Sequence, residues 1–359
     1  MLRNETTAQL NCYKKHLLKK RLALLITLGI TIAIALVAAG IGSLPIPVWD
    51  IIKTLFGMGD TQTQTVILGI RIPRVVTAMI VGAILAASGA VMQCVLRNPL
   101  AAASTLGVSQ GAAFGAAIGI VVFASGTVNS SSAASAVTIQ NPYVVTICAF
   151  LGGLFSTAVI VGIGRLRKDV GPAGLILAGT ALSAMFSGSS TLLQYFVDET
   201  KLGTIVFWTF GDIGGTDWIE ILILTGIFAA SMIYFMINRW NYNAMESGTE
   251  TARSLGVNTR AVTLISMLIC SAAAAAAVAF VGIIGFVGLI APHIMRRFTG
   301  NDYRYLIPGS AITGALLLIL ADTFGRVVIM PVILPIGAIT SFLGGPMFLY
   351  LLFKGVGKR

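Results

Sequence analysis

A long run of residues without charge limits how this chain can fold more than any other feature. No Asp, Glu, Lys or Arg occurs between Asn98 and Gly164, and these four types make up only 10% of the 359 residues. Soluble domains carry about 25% charged residues. Because such a stretch cannot form a surface in water, lipid must be its solvent. The apolar runs have the length of membrane helices, so we predict an all-α, polytopic transmembrane helical bundle.

The apolar runs predict ten spans, because about 20 residues of helix cross the hydrocarbon core. The uncharged stretch 261–295 is too long for one span and too short for two, and glycines and Pro292 interrupt it. We predict one span over 261–283 and a short helix from about Phe286 to Arg297. The other predicted spans are 22–44, 75–96, 104–124, 143–164, 173–197, 219–238, 305–326 and 335–353.

The basic residues predict how the bundle is oriented. The formal charge is +11, which alone would also suit nucleic-acid binding. Ten spans place both termini on one side, and most of the 24 Lys and Arg residues then lie on that side, which the positive-inside rule identifies as the cytoplasm. We therefore predict a cytoplasmic tail over 1–21, a membrane domain over 22–355 with a cytoplasmic loop at 239–260, and no nucleic-acid ligand. The basic residues placed outside are Lys53, Arg71, Arg74, Lys201 and Arg326.

Three of these exceptions predict a binding site on the outer side. Arg71 and Arg74 lie at the outer mouth of the second span, and Arg326 lies at the outer end of the ninth. They could be interfacial side chains that reach toward water. Three arginines on the side that normally lacks them favour a site for the carboxylates of an external partner. Asp322 precedes Arg326 by one helical turn, and we expect the two to pair.

The loop 239–260 is the largest polar segment on the cytoplasmic side. Glu246, Glu250 and Arg253 could share one helical face, and Gly256 could end that helix. Two interpretations remain open from spacing alone: a solvated surface helix, or a helix on which a motor subunit docks.

Few residues suggest chemistry within the chain itself. The four cysteines have no metal-ligand spacing, and we predict no metal site and no cofactor. Residues Gly107–Gly111 match the G-x-S-x-G pattern, and with His293 they could form an intramembrane serine hydrolase, but a nucleophile elbow requires a strand before the serine and a packing role is favoured. A phosphate-binding G-x-x-x-x-G-K-[ST] motif is absent from the sequence. An ion-driven carrier usually holds an acid deep in a span, and Asp322 is the one candidate, although it lies near the outer end.

Motifs along nearly the whole chain, about 20 to 355, resemble one known family, and they occur in that family's order. They are RIPRVV (71–76), GAVMQ (89–93), RNPLA (97–101), LGVSQGA (106–112), GIIGFVGLIAPHIMR (282–296), LAD (320–322), Arg326, LPIG (334–337) and LGGPMF (343–348). This family comprises the permeases that import iron-siderophores, haem and cobalamin, the type II permeases of ATP-binding cassette (ABC) importers.

The resemblance implies a permease subunit, not an enzyme, in a bacterial cytoplasmic (inner) membrane. It implies a second permease subunit, identical or different, two separate ATP-binding subunits inside and a substrate-binding protein outside. The cargo would be an iron-siderophore first, with haem or cobalamin as alternatives, and it would move by alternating access.

The resemblance also implies roles for particular residues. Arg71, Arg74 and Arg326 would hold glutamates of the binding protein. The loop around Ala244 to Gly256 would be a pair of coupling helices that sits in the ATPase groove. Its coupling residues would be Ala244, Met245, Glu246, Ser247, Gly248, Glu250, Leu255 and Gly256. The turn before the fifth span departs from the family's short, hydroxyl-rich gate, since Gly171 and Pro172 stand there. These two residues are candidates for the gate.

Overall fold

The computed structural model describes residues 2–42, 46–55, 57–58, 60–123, 127–128, 137–138, 142–167, 170–330 and 332–356. Its helices are α1 (Leu2–Gly40), α2 (Val48–Leu55), α3 (Thr61–Val66), α4 (Ile72–Val95), α5 (Val108–Ile118), α6 (Pro142–Leu166), α7 (Pro172–Tyr195), α8 (Glu199–Phe210), α9 (Trp218–Ile237), α10 (Arg239–Glu246), α11 (Thr249–Ser254), α12 (Thr259–Val281), α13 (Val287–Thr299), α14 (Tyr303–Val327) and α15 (Ile336–Val356). Two short strands, β1 (Thr127–Val128) and β2 (Val137–Thr138), pair antiparallel.

The ten predicted spans are all present as helices. Seven helical segments of the described chain are long and apolar enough to cross a membrane, and Val108–Phe123 and Ile336–Tyr350 are shorter apolar helices. The short helix α13, with 13 residues, lies at the position predicted for the tenth. The prediction of an all-α, ten-span bundle is therefore confirmed, while the predicted ends at 44 and 124 lie outside the described residues.

The break between α12 and α13 also follows the prediction. Gly282 and Phe286 both have positive φ, +77° and +64°, and the residues between them belong to no helix or strand. A side chain at Gly282 would overlap the backbone of Trp208 and Gly211, so another part of the chain fills the break. The N–H of Asp212 donates to the carbonyl of Val281 at 2.9 Å, which satisfies part of the freed backbone.

Two features of the helices were predicted wrongly. The second span begins earlier than residue 75, because helix runs from Thr61 through a π turn at Ile67–Arg71 into α4. Pro73 cannot donate to the carbonyl of Gly69, and the π turn accommodates the missing bond. The segment after the fifth span, for which no helix was predicted, contains α8, whose first turn is capped by Asp198 accepting from the N–H of Lys201 at 2.9 Å.

Small residues bring the buried helices into backbone contact. A methyl group on Gly82 would overlap the carbonyl of Gly314, which places α4 directly against α14. Gly89 meets Gly288 in the same way and joins α4 to α13, and Gly111 meets Gly152 between α5 and α6. Such contacts gain dispersion energy where no hydrophobic effect drives helices together. They fix α4 at the centre of the bundle, with α12, α13 and α14 around it.

Candidate functional site

Two polar regions lie at opposite ends of α4. Arg74 is in its first turn and Arg97 lies two residues beyond its end, and 24 helical residues separate the two ends by about 36 Å. We call the end with Arg71, Arg74 and Arg326 the arginine face. We call the end with α10, α11 and the turn between α13 and α14 the loop face. Both faces hold residues that the sequence singled out.

On the loop face, residues 239–260 form two short helices, α10 and α11, as the family resemblance implies, rather than the single helix considered from spacing alone. Gly248 has φ +120° and separates α10 from α11. Glu246 therefore does not share a helical face with Glu250 and Arg253, and that expectation is wrong because the glycine breaks the helix between them. Glu250 and Arg253 do pair, with 3.1 Å between Oε1 and Nη1. Gly256, with φ +83°, ends α11 as expected.

The first of these helices, α10, is anchored to the turn between α13 and α14. The Asn243 side-chain oxygen accepts from the backbone N–H of Tyr303 at 2.8 Å. The Glu246 carboxylate accepts from Asn301 Nδ2 at 2.6 Å and from the Tyr303 hydroxyl at 3.1 Å. On the other side, Tyr242 is fully buried and its hydroxyl lies 2.9 Å from Ser266 Oγ on α12. Hydrogen bonds thus connect α10 to both α12 and the start of α14.

Asp302 is the centre of this anchor. Its carboxylate accepts from Arg304 Nη2 at 2.8 Å, from Asn243 Nδ2 at 3.3 Å and from Lys20 Nζ at 3.3 Å. Burial alone would raise the pKa of Asp302, but the hydrogen bonds from Arg304 and Asn243 outweigh it and lower the pKa to about 2. One carboxylate thus joins α1, α10 and α14. This role was not predicted, because the contact between Asp302 and Asn243 joins distant parts of the chain.

Replacing Asp302 by Asn should lower stability at neutral pH and remove one source of acid sensitivity. Asn preserves the helix cap but not the charge that Arg304 and Lys20 require. Because the folded pKa, about 2, lies below the ordinary value of 3.8, the carboxylate stabilises the fold above pH 4, and this contribution is lost as the pH falls toward 2. Thermal melts in detergent should show a gap between wild type and D302N that is constant above pH 5 and closes in acid. A gap independent of pH would contradict this account.

On the arginine face, two guanidinium groups cap the end of α1. Arg71 donates from Nη1 to the carbonyls of Ala39 and Gly40, both at 3.0 Å. Arg326 donates to the carbonyls of Ala38, at 3.0 Å, and Ile41, at 2.6 Å. The last carbonyls of a helix lack partners within it and form the negative end of its dipole, so cations stabilise them. The arginines are accordingly buried, with 8% of Arg71 exposed and 9% of the Arg326 side chain.

Asp322 links these arginines to α4. Its Oδ2 accepts from Arg326 Nε at 3.0 Å, which confirms the predicted pair, and its Oδ1 accepts from Arg74 Nε at 2.8 Å. Only 2% of the Asp322 side chain is exposed. The contact with Arg74 was not predicted, because it joins α14 to α4. Asp212, which is 69% exposed, lies 3.8 Å from Arg74 Nη2.

The remaining candidates of the sequence lie apart from these networks. Gly171 precedes α7 and Pro172 is its first residue, and both are exposed. Ser109 lies in the first turn of α5, after a 3-10 turn at Ala103–Leu106 rather than a strand. No described side chain is hydrogen-bonded to Ser109. The elbow geometry that a serine nucleophile requires is therefore not found.

The described chain is a multi-pass bundle of apolar helices, with an anchored helical loop on one face and a buried ion-pair network on the other. The FecCD transport family matches residues 30–354. The chain belongs to this family, whose members are transport permeases, and it has the fold of an ABC importer permease.

Curated relatives match over nearly their full length. A protein of Methanocaldococcus jannaschii that is named as an ABC transporter permease is 49% identical over 95% of this chain and 97% of its own. The Fe(3+)-citrate import system permease protein YfmE of Bacillus subtilis is 35% identical, covering 92% of this chain and 94% of its own. The hemin transport system permease protein HmuU of Yersinia pestis is 34% identical, covering 94% and 97%.

Among solved structures, the inward-facing conformation of a transporter assigned to the metal-chelate ABC type superposes with a TM-score of 0.77. It is 31% identical and covers 92% of this chain and 97% of that one.

Proposed function

We propose that this chain is the membrane-spanning subunit of an ATP-driven importer for an iron chelate. The observation that carries the proposal is the family match over residues 30–354, combined with relatives that are named for ferric citrate and hemin. Iron-siderophore is our first choice of cargo, with haem or a cobalamin-like chelate as alternatives. The residues 22–355 would form one permease domain, and residues 1–21 a cytoplasmic tail.

The loop face would be cytoplasmic and would receive the motor. Two ATP-binding subunits would dock on α10 and α11 of two permease subunits, which form a homo- or heterodimer in the cytoplasmic membrane. The exposed residues of the loop, among them Glu250 and Leu255, would contact the ATPase, while Asn243 and Glu246 hold α10 to the bundle. ATP-driven movement of α10 would then reach α12 and α14 and change the side to which the central path opens.

The arginine face would receive the substrate-binding protein. Arg71, Arg74 and Arg326 would attract its carboxylates, and Gly171 and Pro172 would contribute to the gate at the other end of the path. In this account the arginines act through their electric field, because their guanidinium groups are largely buried and already bind Asp322 and the end of α1.

Uptake by the reconstituted complex tests the proposal. Proteoliposomes that contain this chain, its ATPase subunits and its binding protein should accumulate radioactive iron from a ferric chelate. They should do so only when ATP is supplied on the side of the membrane that carries the ATPase subunits. Ferric citrate, a ferric hydroxamate and haem, offered separately, identify the cargo. Uptake that persists without the ATPase subunits would instead indicate an ion-driven carrier.

Replacing Asp212 by Asn should strengthen association with the binding protein. The change removes an exposed negative charge 3.8 Å from Arg74, and an Asn oxygen can still accept from the N–H of Gly214 at the turn. We expect a few-fold tighter complex at low salt and no difference at high salt, because exposed charges interact weakly and are screened. Asp198→Asn, an exposed helix cap, is the matched control. Binding weakened by D212N would contradict docking of acidic groups at Arg74.

A further inference from the structure

A polar cavity of about 340 Å³ lies beside α10 on the loop face. Its walls come from the last turn of α4, the residues that follow it, α10, the end of α13 and the turn before α14. The residues that matter for its chemistry are Gln93, Arg97, Glu246, Arg296 and Asn301. The cavity is therefore placed between the loop that would meet the ATPase and the helix at the centre of the bundle.

The two arginines that line the cavity are not paired with an acidic side chain of the described residues. Arg97 and Arg296 both line it, and neither forms an ion pair with a carboxylate of the described residues. Glu246 also lines it, but its two oxygens accept from Asn301 and Tyr303 and lie more than an ion-pair distance from either guanidinium. Because the Glu246 carboxylate is already hydrogen-bonded to Asn301 and Tyr303, the two arginines favour the binding of an anion from another molecule.

Gln93 provides an independent sign that the cavity is incomplete. It is only 4% exposed, and its Oε1 has no hydrogen-bond partner. Its Nε2 points to the carbonyls of Gly288 and Leu289 at 3.5 Å, which leaves the oxygen on the other side of the amide. A buried acceptor without a donor costs about 1–3 kcal/mol. The oxygen therefore needs a donor in the complete assembly.

Arg97 is held in place at a conformational cost. It lies just after α4 with φ +48°, a left-handed conformation in which glycine is usual. Its N–H donates to the carbonyl of Cys94, and the N–H of Asn98 donates to the carbonyl of Gln93. Its Nη1 donates to Thr249 Oγ1 on α11 at 3.0 Å. An arginine is thus kept between the cavity and the second helix of the loop.

We propose that this cavity receives an acidic side chain of the ATPase subunit when that subunit docks on α10 and α11. The carboxylate would bind Arg97 and Arg296. Each guanidinium has five N–H groups, so one arginine can bind the carboxylate and still donate to Gln93 Oε1. The inference rests on the proposed function and extends it, because it names a charge-specific contact besides the exposed surface of the loop. Arg97 also contacts Thr249 on α11, the helix on which the ATPase subunit would dock. This contact favours a protein carboxylate over a lipid phosphate as the anion.

Binding of the purified ATPase subunit to the permease in nanodiscs tests the inference. Arg97→Glu and Arg296→Glu should each weaken binding about tenfold or more, because a carboxylate would then face a carboxylate. Arg97→Gln, which cannot repel, should give a smaller loss and guards against a folding defect in the reversal variants. Arg167→Glu, an exposed change on the same face, should have little effect. Thermal melts of each variant confirm that it is folded.

The lipid and the loop supply the remaining controls. The losses should be equal in nanodiscs of neutral phosphatidylcholine and in nanodiscs that contain phosphatidylglycerol; a loss confined to the anionic lipid would overturn the inference and assign the cavity to a lipid phosphate. Leu255→Asp tests the loop surface alone. If it abolishes binding while R97E and R296E behave as R167E, the cavity inference fails and the proposed function stands. If none of these variants weakens binding, both fail.

Discussion

Replacing Asp322 by Asn should destabilise the bundle more than any other single charge change. The substitution leaves Arg74 and Arg326 without their shared carboxylate in a site where 2% of the Asp322 side chain is exposed. Removing one partner of a buried ion pair costs about 3–5 kcal/mol, because the other charge remains buried and unpaired. Arg326 also caps α1, so the loss should loosen the contact between α1 and α14. Thermal melting in detergent and the yield of monodisperse protein measure the effect.

The control for this variant is Asp217→Asn. Asp217 is the exposed N-cap of α9, and Asn serves equally well at a helix cap. D217N should melt close to wild type, whereas D322N should melt well below it. Equal melting temperatures for D322N and wild type would show that the two arginines do not depend on Asp322.

Replacing Gly89 by Val should prevent the chain from folding into an active permease. A side chain at Gly89 would overlap the carbonyl group of Gly288, so α4 and α13 would have to separate. Overpacking a core usually costs about 1–3 kcal/mol, and here the obstacle is backbone, which cannot rotate away. We expect little folded protein and no chelate uptake. Gly89→Ala should show the same defect to a smaller degree.

Gly162 offers a matched control within α6. Nothing lies within 4 Å of a side chain placed there, so Gly162→Ala should be neutral or slightly stabilising through its better helix propensity. If G89A and G162A yield equal amounts of active protein, α4 and α13 do not pack as closely as the structure has them.

The sequence predicted the spans well because the lipid solvent imposes a length and a composition on each helix. It also predicted the break at Gly282 and the pairing of Asp322 with Arg326, which are local along the chain. It missed α8, whose 12 residues are too few to cross a membrane and do not form a long apolar run. It placed the start of the second span too late, because the polar residues of α3 hide a helix that precedes Arg71.

The parts of the site that escaped prediction are contacts between distant segments. Asp302 with Asn243, Glu246 with Asn301, and Asp322 with Arg74 each join different helices. A spacing rule describes neighbours on one helix and cannot identify such partners. The two-helix form of the loop depended on a single backbone angle, φ +120° at Gly248, which a helical periodicity does not reveal. The roles proposed for either face therefore depend on tertiary packing.

The most direct test of the account is photocrosslinking from Leu255 in membranes that contain the whole transporter. Leu255 is 68% exposed and follows α11, so a photoreactive amino acid placed there should capture the ATPase subunit. The same probe at Trp218, an exposed residue at the start of α9, should not. Adducts of the ATPase from position 255 alone would support the orientation and the coupling role. Capture of the ATPase from position 218, or of the external binding protein from position 255, would contradict both.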